Sequence, residues 1–191
     1  FLASFTRLVG VALAALLLLE YLMQKEWKLK KIRADIGYIW MIPLGLFAYM
    51  YILKIKLGSS LLFFRAQEAW GRSTELPFHA IKTEYWPLVL DATTYMNRMD
   101  LIKVFDLFFF CLAILLIILC FIFLRKSYAL FALFAMLPSM LTGTLDSIGR
   151  YMLPIFPFFI LLARGTKWKP LEILYIMLFG ALLTYNIILF V

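Results

Sequence analysis

Thr142-Gly143-Thr144-Leu145-Asp146-Ser147-Ile148-Gly149-Arg150-Tyr151-Met152-Leu153-Pro154-Ile155-Phe156-Pro157 is the stretch on which the organisation of the chain turns. It sets ionisable groups inside sequence that is otherwise apolar enough to lie in a bilayer. Arg164 closes the apolar run on the far side, leaving only the thirteen residues from Tyr151 to Ala163 uncharged. Thirteen helical residues reach about 20 Å, whereas a hydrocarbon core of about 30 Å takes about 20 residues. A helix that spans here must begin near Thr144 and carry Asp146 and Arg150 at the outer interface. The two are i and i+4, acid first, the favourable order for a pair on one face. Charge at that depth points to function. The bland alternative is an arginine that snorkels to the headgroups or only neutralises Asp146.

Working outward, the composition sets the class. The 191 residues are 65% hydrophobic and 18% aromatic, with a mean hydropathy of +0.94, which reads as a polytopic all-α membrane protein. The spans expected are 1–23, 36–53, 101–124, 128–141, 144–163 and 171–191, about six in one membrane domain. Arg7 interrupts the first, and Pro43 with Gly45 predicts a kink in the second. The chain opens inside an apolar run with Phe1-Leu2-Ala3 and carries neither a basic leader nor a cleavage site. It is therefore expected to be the C-terminal part of a longer protein whose N-terminal helices are its partners.

The net charge of +8 is not spread as in a nucleic-acid binder. Gln24–Asp35, Arg125-Lys126 and Arg164–Lys169 together hold ten basic residues and two acidic ones. Positive-inside bias puts these three connections in the cytoplasm, attracted to anionic headgroups. The long connection 54–100 and the turn near Asp146 then lie outside. Within 54–100, Ser59 and Ser60 offer N-caps for an interfacial helix over Leu61 to Trp70, with Arg65 and Glu68 among apolar residues. Glu84-Tyr85-Trp86-Pro87 is expected to bring a carboxylate and two amphipathic rings to the interface, and Leu88 to Arg98 to form another short helix. A structureless connection of this length would be unusual, so folded pieces over a site are expected, against an ordinary anchoring loop.

Several chemistries are set aside. His79 is the only histidine, and Cys111 and Cys120 lie nine apart in one apolar helix, so no metal set, disulfide or Ser/His/Asp set is indicated. Neither a phosphate-cradling glycine loop nor any required cofactor is present. Asp100, Lys103 and Asp106, spaced by three, read as a local charge-satisfied set. What remains is a basic, aromatic external site beside the headgroups. Such a site suits an anionic lipid-linked molecule, because guanidinium forks match phosphate.

Ser147-Ile148-Gly149-Arg150-Tyr151-Met152-Leu153-Pro154-Ile155-Phe156-Pro157, followed by Phe158-Phe159-Ile160-Leu161-Leu162, resembles the S-x-G-R-Y-x-L-x-x-F-P-x-F signature of the PIG-V family. Phe64-Arg65-Ala66-Gln67-Glu68-Ala69-Trp70-Gly71-Arg72 is similar to that family's external F-x-x-A-Q-x-x-W-G-R segment, and Thr6-Arg7-Leu8-Val9-Gly10 to its T-R-x-x-G helix start. The resemblance implies an inverting GT-C mannosyltransferase, like GPI mannosyltransferase 2, that uses a polyprenyl-phosphate (dolichyl-type) mannose donor. It implies Arg150 and Arg72 for the lipid phosphate, and Gln67, Trp70, Tyr151 and Asp146 for the rest of the site. The acidic residue that acts as catalytic base in such enzymes is expected upstream of Phe1, so no catalytic residue is assigned here, and the acceptor is unknown. The compact loops point to a bacterial or archaeal plasma membrane rather than the endoplasmic reticulum. Two other classes compete: a non-catalytic membrane subunit, and a lipid-linked-sugar flippase, which would need polar residues along the midplane.

Overall fold

The computed structural model describes residues 1–68, 78–90, 98–167 and 169–190, and every regular element among them is helical. The first expected span is not one helix. It consists of α1 (Leu2–Thr6), an extended Arg7 (φ −144°, ψ 135°), a 3-10 turn (Leu8–Val11) and α2 (Ala12–Gln24). Two local features explain the break. The Thr6 hydroxyl donates back to the Leu2 carbonyl at 2.9 Å, a bond that competes with the helical ladder. Gly10, lacking a Cβ, lets the 3-10 turn lie directly on the backbone of Ala3.

The second span begins as a 3-10 helix (Ala34–Trp40) and becomes α3 (Met41–Leu57). Pro43 has no N–H to donate to Ile39, so the α ladder cannot run unbroken through this point. At the far end Gly58, at φ +79°, takes the left-handed cap and donates to the Lys54 carbonyl at 3.1 Å. α1 packs on α3 where Gly45 faces Ser4. Ser4 is buried, and its hydroxyl lies within hydrogen-bond reach of the carbonyls of Ile42 and Phe1.

The long connection contains α4 (Leu62–Glu68), α5 (Phe78–Ala80), a π turn (Ile81–Tyr85) and α6 (Trp86–Leu90). The expected end of its first helix at Trp70 and most of the expected Leu88–Arg98 helix lie outside the described residues. Then follow α7 (Arg98–Phe123), α8 (Lys126–Met140), α9 (Ile148–Met152), α10 (Phe156–Gly165) and α11 (Lys169–Phe190).

The core lies between α2, α7, α8, α9 and α10. Ala113, Cys120, Ala129, Ala132 and Met136 are fully shut off from solvent there. The small residues on α7 and α8 let the two backbones approach closely, as in helix pairs packed without a hydrophobic drive between them.

The single helix expected over 144–163 is replaced by α9 and α10. Pro154 and Pro157 explain this: neither has an N–H to donate, so a continuous ladder would lose its bonds to the Arg150 and Leu153 carbonyls, and between them Ile155 leaves helical dihedrals at φ −87°, ψ 79°. Among the described residues two helices, Ala34–Leu57 and Met99–Phe123, are long and apolar enough to cross a membrane, while Leu8–Gln24 and Phe156–Gly165 are shorter apolar helices. α8, at 15 residues, is about 22 Å long.

The three basic connections gather at one end. Ser127, opening α8, donates to the Glu20 carboxylate near the end of α2, and Arg125 lies 3.7 Å from the same carboxylate. Arg164, ending α10, donates to the carbonyl of Phe123, which ends α7. Within the first of these connections Lys28 and Lys31 hold the Glu26 carboxylate at 2.6 and 3.0 Å and lower its pKa.

The α1–α3 crossing gives a direct test. A Cβ on Gly45 would collide with the Phe1 carbonyl and the Ser4 hydroxyl, whereas one on Gly37 would meet nothing within 4 Å. Gly45→Val should lower stability by about 1–3 kcal/mol through overpacking. Gly37→Ala should stay within about 0.5 kcal/mol, both read from thermal unfolding in one detergent.

Candidate functional site

At the end opposite the basic connections, the chain between α8 and α9 forms a tight turn. Gly143 (φ +71°) and Ser147 (φ +61°) both take left-handed conformations, natural for the glycine and unusual for the serine. The Thr142 hydroxyl lies 2.9 Å from the Ser139 carbonyl and 3.1 Å from that of Thr144, closing the exit of α8. The Thr144 hydroxyl is buried with no hydrogen-bond partner among the described residues. Leu145 and Ile148 plug the turn into the core.

Two side chains from elsewhere hold its backbone. The Leu145 N–H donates to the Tyr85 hydroxyl at 3.0 Å, and the Ser147 N–H donates to the Asp106 carboxylate at 3.2 Å. The Tyr85 hydroxyl also faces Asp146 Oδ1 at 3.5 Å, a long and correspondingly weak contact. Tyr85 is 2% exposed and Asp106 7%, so both bonds are made away from water, where an unmade bond is costly. One turn before Asp106 on α7, Lys103 pairs with Glu84 at 2.9 Å, and its ammonium sits 6.0 Å from the centre of the Tyr85 ring. Burial pushes the Tyr85 pKa well above 10.0. The Leu145 N–H bond pulls it partly back, and the charges of Asp146, Asp106 and Glu84 add to the rise.

Arg150 follows on α9, exposed, with its own N–H donating to Ser147 at 3.0 Å. Gly149 faces Phe109 of α7, where a Cβ would stand 3.1 Å from the ring. Asp146 is exposed and Tyr151 half-buried, so three of the six site residues read from the sequence fall within one turn and one short helix. The expected same-face pairing of Asp146 with Arg150 along a helix does not arise, because the helix starts only at Ile148, after the left-handed Ser147. Gln67 is exposed on α4, whose Phe63 ring packs on Tyr49 of α3 with centres 6.1 Å apart. Arg72 and Trp70 lie outside the described residues.

The sequence misjudged two neighbours of the site. Tyr85 and Trp86 were expected to face the interface together. Adjacent residues on a helical turn point apart, and Trp86 is 53% exposed while Tyr85 is buried. Lys103 was grouped with Asp100 and Asp106, yet its ion pair is with Glu84, 19 residues back. Only the run Glu84-Tyr85 beside a basic helix end could have signalled this, and it does not say which ring turns inward.

Among the described residues no group of three His, Cys, Asp or Glu could hold a metal ion. An open depression of about 560 Å³ lined by Ala34, Asp35, Gly37, Tyr38 and Met41 belongs to the other end of the molecule. Chemically, the turn offers an exposed guanidinium, carried on a short helix with a fixed root, and a carboxylate four residues before it. Set against known proteins, the chain matches no family model, no curated protein and no solved structure.

The raised Tyr85 pKa carries a sign. The folded state keeps the phenol neutral, so this contribution is full below about pH 10. It is lost as pH climbs toward the folded value, because the unfolded chain releases its proton first. The stability advantage of the native chain over Tyr85→Phe should therefore be flat from pH 7 to 9 and shrink above 10, read from paired melting curves.

Proposed function

We propose that the chain belongs to a polytopic membrane glycosyltransferase of PIG-V type, which transfers mannose from a polyprenyl-phosphate donor at the outer face. The observation that carries the reading is the exposed Arg150 guanidinium, rooted in a buried lock at the end of the molecule away from the basic connections. From Asp106 to Phe123 along α7 the two ends are about 25 Å apart, close to the thickness of a hydrocarbon core. With the basic end in the cytoplasm, Arg150 stands at the outer headgroup level. There it would take the phosphate of the lipid donor and stabilise the charge that grows as the sugar leaves. Tyr151 and Asp146 would border the sugar, with Gln67, Trp70 and Arg72 arriving from the external connection. The acceptor's proton needs a base, a role assigned to none of these residues. The short α8 and the broken α9–α10 would cross as protein-enclosed elements, since interrupted backbone at membrane depth is tolerated only when covered. The three stretches similar to the PIG-V family support the choice of donor. The charge asymmetry supports the orientation.

Orientation and chemistry separate cleanly by experiment. In intact cells, a thiol at Lys30→Cys should resist a membrane-impermeant maleimide and one at Ser59→Cys should react; the reverse pattern would overturn the topology. Transfer from polyprenyl-phosphate mannose by the full-length protein should fall about 10²–10³-fold in Arg150→Ala. Arg150→Lys should recover part of it, since an ammonium keeps the charge and loses the fork. Undiminished transfer in Arg150→Ala, with the protein still in the membrane, would sink the phosphate role.

A further inference from the structure

We infer that Asp106 and Tyr85 are positioning residues for Arg150, and that through them α7 ties the external segment to the phosphate-binding arginine. The inference rests on the phosphate-binding reading of Arg150 and extends it to residues that touch no substrate. Three observations converge. First, α9 has five residues, too few for a helix to hold itself in shape, and Leu153–Ile155 cut it off from α10. Its direction must be set from outside. Second, the outside groups are on hand. Asp106 takes the Ser147 N–H at 3.2 Å, Tyr85 takes the Leu145 N–H at 3.0 Å, and Phe109 closes on Gly149. Ser147 is held at φ +61°, a conformation a serine keeps only when its surroundings impose it. Third, the residue before Tyr85 is tied to the same face of α7. Glu84 pairs with Lys103, three residues before Asp106, and both Glu84 and Tyr85 lie in the π turn Ile81–Tyr85. π turns inside helices recur where a side chain must be aimed. Here the turn sends Tyr85 inward and leaves Glu84 at the surface.

Release of either bond frees residues 145–152 to move as a unit, and Arg150 with them. A side chain that only supports the core would lower stability without singling out this segment. The distinguishing measurements are hydrogen exchange over residues 142–152 and binding of polyprenyl phosphate, both on the purified full-length protein. Asp106→Ala should speed exchange there and weaken polyprenyl-phosphate binding, each about tenfold, the size of one lost bond to a charged acceptor. Asp106→Asn, whose amide oxygen still accepts from Ser147, should restore both. Tyr85→Phe, which keeps the ring and removes the acceptor, should likewise speed exchange across residues 142–152 and weaken polyprenyl-phosphate binding.

Binding in the double variant Asp106→Ala/Arg150→Ala should match that of Arg150→Ala alone within twofold, because the carboxylate acts only through the arginine. Unchanged exchange in both Asp106→Ala and Tyr85→Phe, or an Asp106→Ala penalty as large without Arg150 as with it, would overturn the inference. Normal polyprenyl-phosphate binding in Arg150→Ala would instead refute the phosphate reading, and the exchange data would then decide the lock by themselves.

Discussion

Wherever this apolar chain interrupts a helix, the freed backbone groups must be met by partners, and that constraint shapes the molecule. In surroundings that exclude water an unpaired N–H or C=O is expensive. The breaks are accordingly bridged by side chains from distant segments. Ser4 reaches the carbonyl of Ile42 across the α1–α3 crossing, and Arg164 reaches that of Phe123 between α10 and α7. Tyr85 and Asp106 take the N–H groups of Leu145 and Ser147 between α8 and α9. Each bridge joins two elements far apart in sequence, so the interruptions are also the points at which the tertiary structure is fastened.

The two ends use polar groups differently. At the basic end the fastening groups are themselves charged and partly wet: Glu20 with Ser127 and Arg125, and Glu26 with Lys28 and Lys31. Ion pairs so exposed contribute little to stability. Their net effect is to leave a surplus of cations at this end of the molecule. At the other end, beside the exposed Lys103–Glu84 pair, the bonds to the turn are buried and neutral or singly charged. They hold one short segment in a conformation it would not otherwise keep.

The sequence revealed the helical class and the grouping of the three basic connections at one end, because hydropathy and charge bias are properties of composition over long windows. Where the helices break was less legible. Arg7 was flagged as an interruption, but the close approach behind it depends on Gly10 meeting Ala3, a contact across a fold-back. Pro154 and Pro157 stood in plain view. The need to make a span of sufficient length favoured one helix through them, and the two missing N–H groups decided otherwise. The lock was least legible of all. Tyr85 lies 60 residues from Leu145 and Asp106 lies 41 from Ser147, and in one dimension a buried tyrosine beside an exposed tryptophan looks like an aromatic belt. Gln67, Trp70 and Arg72 rest on pattern alone, since Gln67 sits on a helix packed against α3 and the other two lie outside the described residues.

The broken helix also suits the charge it carries. A continuous helix from Thr144 to Ala163 would present Arg150 on a rod whose rotation is fixed by the whole span. Any adjustment of the guanidinium would then disturb the packing of Phe158, which is buried in the core. With the break at Leu153–Ile155, Ile148 and Met152 anchor one face of a five-residue helix, and Arg150 emerges between them on the other. The arginine is thus separated from the span that follows it and fastened instead to α7 and the external segment. A charged side chain that meets a lipid headgroup gains by this arrangement. Its position answers to Tyr85 and Asp106 and not to the apolar packing of α10 below.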